Sequence, residues 1–156
     1  MTAKQVMRRK VADNVYLHKD FHGALNQALV YVEEHFGAAA VREYLRQFAQ
    51  EFYSPLTRRL KDEGLEALKE YFAAICELEG ADCRIELSAD ELVLTVARCP
   101  AVTHIRRMGL PLSPHFVETT RTVNEAICEG TPFTAELIEY EPEAGRSVQR
   151  FSRRRL

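Results

Sequence analysis

Ile85-Glu-Leu-Ser-Ala-Asp-Glu-Leu-Val-Leu-Thr-Val96 is the stretch on which the fold turns. Upstream of it, apolar residues recur at gaps of three and four, the spacing of a helix face. Here the period drops to two: Ile85 and Leu87 alternate with polar neighbours, Ser88-Ala-Asp-Glu91 makes a turn, and Leu92, Leu94 and Val96 alternate again. Successive side chains of a strand point to opposite faces, so this pattern predicts a β-hairpin with one buried face. The second strand runs into Ala-Arg-Cys99-Pro100-Ala101, which places a cysteine where a strand ends and a helix begins.

Working back from the hairpin, four helices are expected. Asp20 is a good N-cap for a helix with apolar positions Phe21, Leu25, Ala28, Leu29, Val32 and Phe36, and Gly37 stops it. A second helix uses Val41, Tyr44, Leu45, Phe48, Ala49 and Phe52. Ser54-Pro55 supplies a cap and a first-turn proline for a third, which ends at Gly64. A fourth runs on Leu65, Leu68, Phe72, Ile75 and Cys76 to about Gly80. Working forward, a short helix spans Pro100 to Met108, and Ser113-Pro114 repeats the cap-and-proline start for a helix on Phe116, Thr120, Val123 and Ile127. Phe133 to Tyr140 and Arg146 to Phe151 flank Pro142-Glu-Ala-Gly145 as a second hairpin. The expected class is α+β: N-terminal helices, then two β-hairpins forming an antiparallel sheet, with two helices between the hairpins. We read residues 1–156 as a single domain, with an N-terminal arm over 1–19 and a basic tail over 152–156.

The bulk composition narrows the function classes. With 156 residues the chain is long enough to bury a core, and its 46% hydrophobic and 28% charged residues are those of an ordinary globular domain. A net charge of -2 argues against a broad nucleic-acid surface, and the Arg150-Phe-Ser-Arg-Arg-Arg155 run reads as a solvated end. No stretch approaches the roughly 20 apolar residues of a membrane span. The charged start lacks the apolar centre of a signal peptide, so a cytoplasmic location is expected. Cys76, Cys83, Cys99 and Cys128 contain no Cys-x-x-Cys pair and are expected to be free thiols, mostly in the core.

Three clusters are candidates for chemistry. If Cys99 caps the helix that Pro100 opens, unpaired backbone N–H groups and the helix dipole favour a thiolate; the other reading is a structural cysteine at the end of a core strand. His104 lies off the face nearest that cap, so a histidine partner must come from elsewhere. His18 and His22 are four apart, as in many metal-binding pairs, but capping by Asp20 would leave His18 outside the helix and spoil the spacing. No metal site is therefore expected, and His22 is the candidate proton carrier. On the helix after Pro114, His115 and Glu118 are spaced to meet, Glu118, Arg121 and Glu125 read as solvated charges, and Thr120 and Asn124 share a strip beside the apolar face. A buried Asn124 would need a hydrogen-bonding partner, backbone or ligand. Arg121, if turned inward, offers a forked donor for a carboxylate. There is no glycine-rich phosphate loop, no Gly-x-Ser-x-Gly, no His-Glu-x-x-His and no haem-attachment motif, and the residues name no cofactor.

Asp20-Phe-His-Gly-Ala-Leu25, Glu43-Tyr-Leu, Phe52-Tyr-Ser-Pro-Leu56 and Arg98-Cys-Pro-Ala101, followed by the helix reaching Asn124, together resemble the L-2-amino-thiazoline-4-carboxylic acid hydrolase-like proteins. The resemblance covers roughly Asp20 to Phe151. It implies an α+β fold related to the 4-vinyl reductase and Golgi-transport subunit group, in which dimers are common. It also implies hydrolytic opening of a small cyclic amidine, with His22, Cys99 and Asn124 at the family-like positions. The loop Gly109-Leu-Pro-Leu-Ser-Pro114 departs from that group, whose members tend to carry further cysteines there. Two functions follow as expectations. One is a hydrolase acting on a C–N bond of a compact cyclic amidine or amide, with Cys99 as nucleophile, His22 moving protons, and Asn124, Thr120 or Arg121 holding the substrate. The other is a non-catalytic small-molecule-binding or sensory module working as a homodimer.

Overall fold

The computed structural model describes residues 19–155. Among them the element order is α1 (Lys19–Phe36), α2 (Ala38–Phe52), α3 (Ser54–Glu63), α4 (Leu65–Glu79), β1 (Cys83–Leu87), β2 (Glu91–Val96), α5 (Pro100–Arg107), α6 (Glu118–Cys128), β3 (Phe133–Glu141) and β4 (Arg146–Arg153). This is an α+β fold, with two helices between two hairpins. The hairpins lie side by side in one antiparallel sheet of order β1-β2-β4-β3, so the second strand of each hairpin is central.

The register explains which face is buried. Leu92 stands opposite Phe151, Leu94 opposite Gln149 and Val96 opposite Ser147, and these side chains turn toward the helices. Leu92 and Phe151 are fully buried there, and Phe72 of α4 packs against Phe151 with ring centroids 5.4 Å apart. The opposite face carries Arg84, Glu86, Glu136 and Arg150, the last paired with Glu136. A register shift in β3 between Leu137 and Glu139 leaves Ile138 as an extra residue. Without that bulge Glu139 would face inward; with it, Tyr140 takes the position opposite Ser147 on the helix side.

Helix packing completes the core. α6 lies between α2 and β3, while α1 packs on α2 and α5. Leu29, Val41, Leu45, Leu60, Leu68, Ile105 and Ile127 have almost no exposed surface. Polar Asn26 of α1 is equally buried: its Nδ2 donates to the Pro111 carbonyl at 2.9 Å and its Oδ1 accepts from the Ser113 amide at 2.8 Å. One amide side chain thereby ties α1 to the α5–α6 connection.

Several boundaries differ from expectation. Lys19 is already helical, so Asp20 lies within α1 and not at its cap, and His18 falls outside the described residues. After Ser113-Pro114 the backbone makes successive three-residue turns, Phe116 N to Ser113 O and Glu118 N to His115 O, before the α-helix proper starts at Glu118. Ser113 Oγ accepts from the His115 amide, so the serine serves a turn there. The basic end is not a frayed tail. Ser152 and Arg153 belong to β4, Arg153 lies over the Phe133 ring and pairs with Asp90, and Arg154 Nε donates to the Phe133 carbonyl at 2.9 Å. No helix among the described residues is long and apolar enough to cross a membrane.

Candidate functional site

A cavity of about 240 Å³ lies between the sheet and helices α4 and α6, and Cys99, His22, Thr120 and Asn124 all line it. Residues 22, 99, 120 and 124 meet because the β2–α5 corner, the first turn of α1 and the inner face of α6 close on the same space. A second cavity of about 330 Å³ adjoins it and shares His22, Tyr53, Tyr71, Ile75, Glu79, Thr119 and Val123. Its outer walls are aromatic: Phe21, Phe48 and Phe52 join Tyr53 and Tyr71. Tyr53 meets Phe52 and Tyr71 edge to face, with centroids 5.0 and 5.9 Å apart. The two spaces share aromatic and polar lining residues.

Two polar pairs belong to this lining. His22 Nε2 lies 3.3 Å from Glu79 Oε1, and both side chains are largely shielded from solvent. Asn124 Nδ2 donates to Gln149 Oε1 at 2.7 Å, and Gln149 Nε2 donates onward to Ser147 Oγ at 2.9 Å. Buried amides of this kind need partners, and each amide here uses the other. Glu79 and Gln149 were not anticipated. Glu79 ends a helix whose other face is charged, and nothing in its spacing marks it. Gln149 did leave a signal: Ser147, Gln149 and Phe151 share one strand face, and two polar residues on a face that must be covered point to a polar recess.

Cys99 stands where it was expected, as the residue capping α5, with Pro100 in the first turn. Its amide donates to the Ala144 carbonyl at 2.9 Å, and its carbonyl accepts from Thr103 N and Oγ1 at 3.0 and 2.9 Å. Burial pushes the thiol above its ordinary range; the Val102 and Ala101 amides act the other way, and the Glu79 carboxylate adds to the rise. Desolvation thus outweighs the helix end. Native Cys99 should therefore alkylate slowly with iodoacetamide at neutral pH and faster as pH rises. Cys128, fully buried and pushed up to about 12 by burial, is the slow control in a mass-spectrometric map. Labelling of Cys99 at the rate of an exposed thiol near pH 7 would contradict this.

The other candidates are placed differently. Arg121 is exposed, its Nη1 is 2.7 Å from Glu118 Oε1, and it lines neither cavity. Glu118 is not a solvated charge: it is buried and also accepts from Thr122 Oγ1 at 2.7 Å. His115 meets Glu33 of α1 at 2.9 Å and not Glu118. Cys76 and Cys83 are not free thiols; they form a disulfide. Their pairing joins two different elements, which spacing alone does not reveal. Among the described residues no group of three or more His, Cys, Asp or Glu side chains is placed to hold a metal ion. No family model, curated protein or solved structure matches this chain.

Proposed function

We propose that the chain is a binding module for a small molecule with a flat apolar body and a hydrogen-bonding end. The observation that carries this reading is the pair of adjoining cavities, in which aromatic walls, the His22–Glu79 pair between the two spaces and the Asn124–Gln149 pair of the inner one line the space together. Binding sites of this type bury a ligand in apolar surface and orient it with a few polar groups. Tyr53, Tyr71 and Phe48 would cover the ring faces. The amides and the imidazole would read the polar end, since between them they donate and accept.

The chain contains no tryptophan, so Phe52→Trp at the cavity mouth gives a single reporter. Titration with aromatic acids, amides and alcohols should produce a saturable change in its emission for at least one class. In the same background, Asn124→Ala should weaken that ligand about tenfold, the loss of a well-placed hydrogen bond. No saturable response from any class would end the reading.

A second reading has its own support: His22, Cys99 and Asn124 line one cavity, the grouping expected of a C–N hydrolase for a compact cyclic amidine or amide. Turnover of such compounds that disappears in Cys99→Ala, with ligand binding retained, would favour it over simple binding. The homodimer belongs to the same proposal, and sedimentation separates the 17.9 kDa chain from a pair.

A further inference from the structure

The Cys76–Cys83 disulfide forms part of the wall of the inner cavity. It joins the last turn of α4 to the first residue of β1, an edge strand that only β2 holds in the sheet. Both cysteines are half-buried and line the same 240 Å³ space as the Cys99 thiol. Three of the four cysteines of the chain therefore line one chamber.

The bridge also sits at a mechanical junction. Glu79, one helical turn beyond Cys76, reaches across to His22 of α1. Backbone bonds also hold the α4–β1 corner, among them Ala81 N to Cys76 O at 2.8 Å, Gly80 N to Glu77 O at 3.1 Å and Ala97 N to Asp82 O at 2.9 Å. The deeper anchor of α4, Phe72 on Phe151, lies a full turn earlier. Cutting the bridge removes the covalent tie at this corner, while Phe72 keeps the helix packed on the sheet.

We infer that Cys76–Cys83 is a redox-active site, opened by dithiols and re-formed by disulfides, and that its state sets the rigidity of the cavity wall. A dithiol thiolate attacks one sulfur of the pair, the S–S bond breaks, and the other cysteine leaves as a thiolate that takes up a proton. The second thiol of the reductant then displaces the mixed disulfide. Two electrons and two protons pass to the protein, and the dithiol becomes a cyclic disulfide.

The test uses the wild-type chain without denaturant. Dithiothreitol is added at neutral pH, the reaction is quenched with acid, and the unfolded protein is alkylated with iodoacetamide and weighed. Two alkyl groups are expected before reduction, on Cys99 and Cys128, and four after it; oxidised glutathione should restore two. Amide exchange over residues 73–83 should accelerate at least tenfold on reduction. In the Cys76→Ser/Cys83→Ser variant it should already be fast and insensitive to dithiothreitol. A bridge that yields only after urea is added, or exchange that changes less than twofold on reduction, overturns the inference. Neither readout depends on a ligand, so it can fail or stand independently of the binding reading.

Discussion

Gly145→Ala should unfold at a clearly lower urea concentration than the wild type, losing about 2–5 kcal/mol. Gly145 turns the β3–β4 hairpin with φ of 66°, where an L side chain crowds its own backbone. A Cβ there would also lie 2.5 Å from Cys99 Cβ and 2.8 Å from Val102 Cγ2. Neither neighbour can retreat by rotating a flexible end. Cys99 Cβ moves only with the backbone that bonds Ala144, and Val102 is buried beneath α5. The backbone term costs about 1–2 kcal/mol and forced overpacking about 1–3 more. Gly109→Ala separates the two, since Gly109 has φ of 69° but nothing within 4 Å of its added Cβ. It should lose only the backbone part. Equal losses in the two variants would show that the contact with Cys99 and Val102 contributes nothing.

Asn26→Leu should cost about 2–4 kcal/mol, although leucine suits a helix better than asparagine. The substitution strands two backbone groups, the Pro111 carbonyl and the Ser113 amide, which now share one side chain. The Ser113 side is nearly closed to solvent, so water cannot replace the lost partner without opening the loop. A buried donor left unmet costs about 1–3 kcal/mol, whereas a satisfied hydrogen bond contributes about 1. Amide exchange at Ser113 should quicken along with the loss of stability. An unchanged Ser113 amide would mean that the loop is held by its neighbours, the His115–Glu33 contact among them.

Both effects arise where distant segments meet, and that is also where sequence reading stopped. The period change at Ile85, the first-turn Pro55 of α3 and the stop at Gly37 were legible because a few adjacent residues settle each one, although Tyr53 and not Ser54 caps α3, the Ser54 hydroxyl donating to the Glu51 carbonyl. The start of α6 was not, because Ser113 carries two competing local uses, helix cap and turn, and its amide is claimed by Asn26 from α1. The sequence pattern marks Glu118 and Arg121 as solvated charges. Glu118 is instead buried, where one oxygen takes Thr122 and the other pairs with the exposed Arg121.

The amino-acid order by itself determined the class of fold, the hairpins, and the position of Cys99 at the head of α5, since these depend on side-chain period and on caps within one or two turns. It also marked His22, Cys99, Thr120 and Asn124 as candidates by residue type. Only the tertiary structure brought those four to one cavity, added Glu79 and Gln149, turned Arg121 outward, and closed Cys76 onto Cys83. The meeting of His22 with Glu79 and of Asn124 with Gln149 rests on packing between segments tens of residues apart, where the burial of a whole face, not the preference of a single residue, sets which side chains meet.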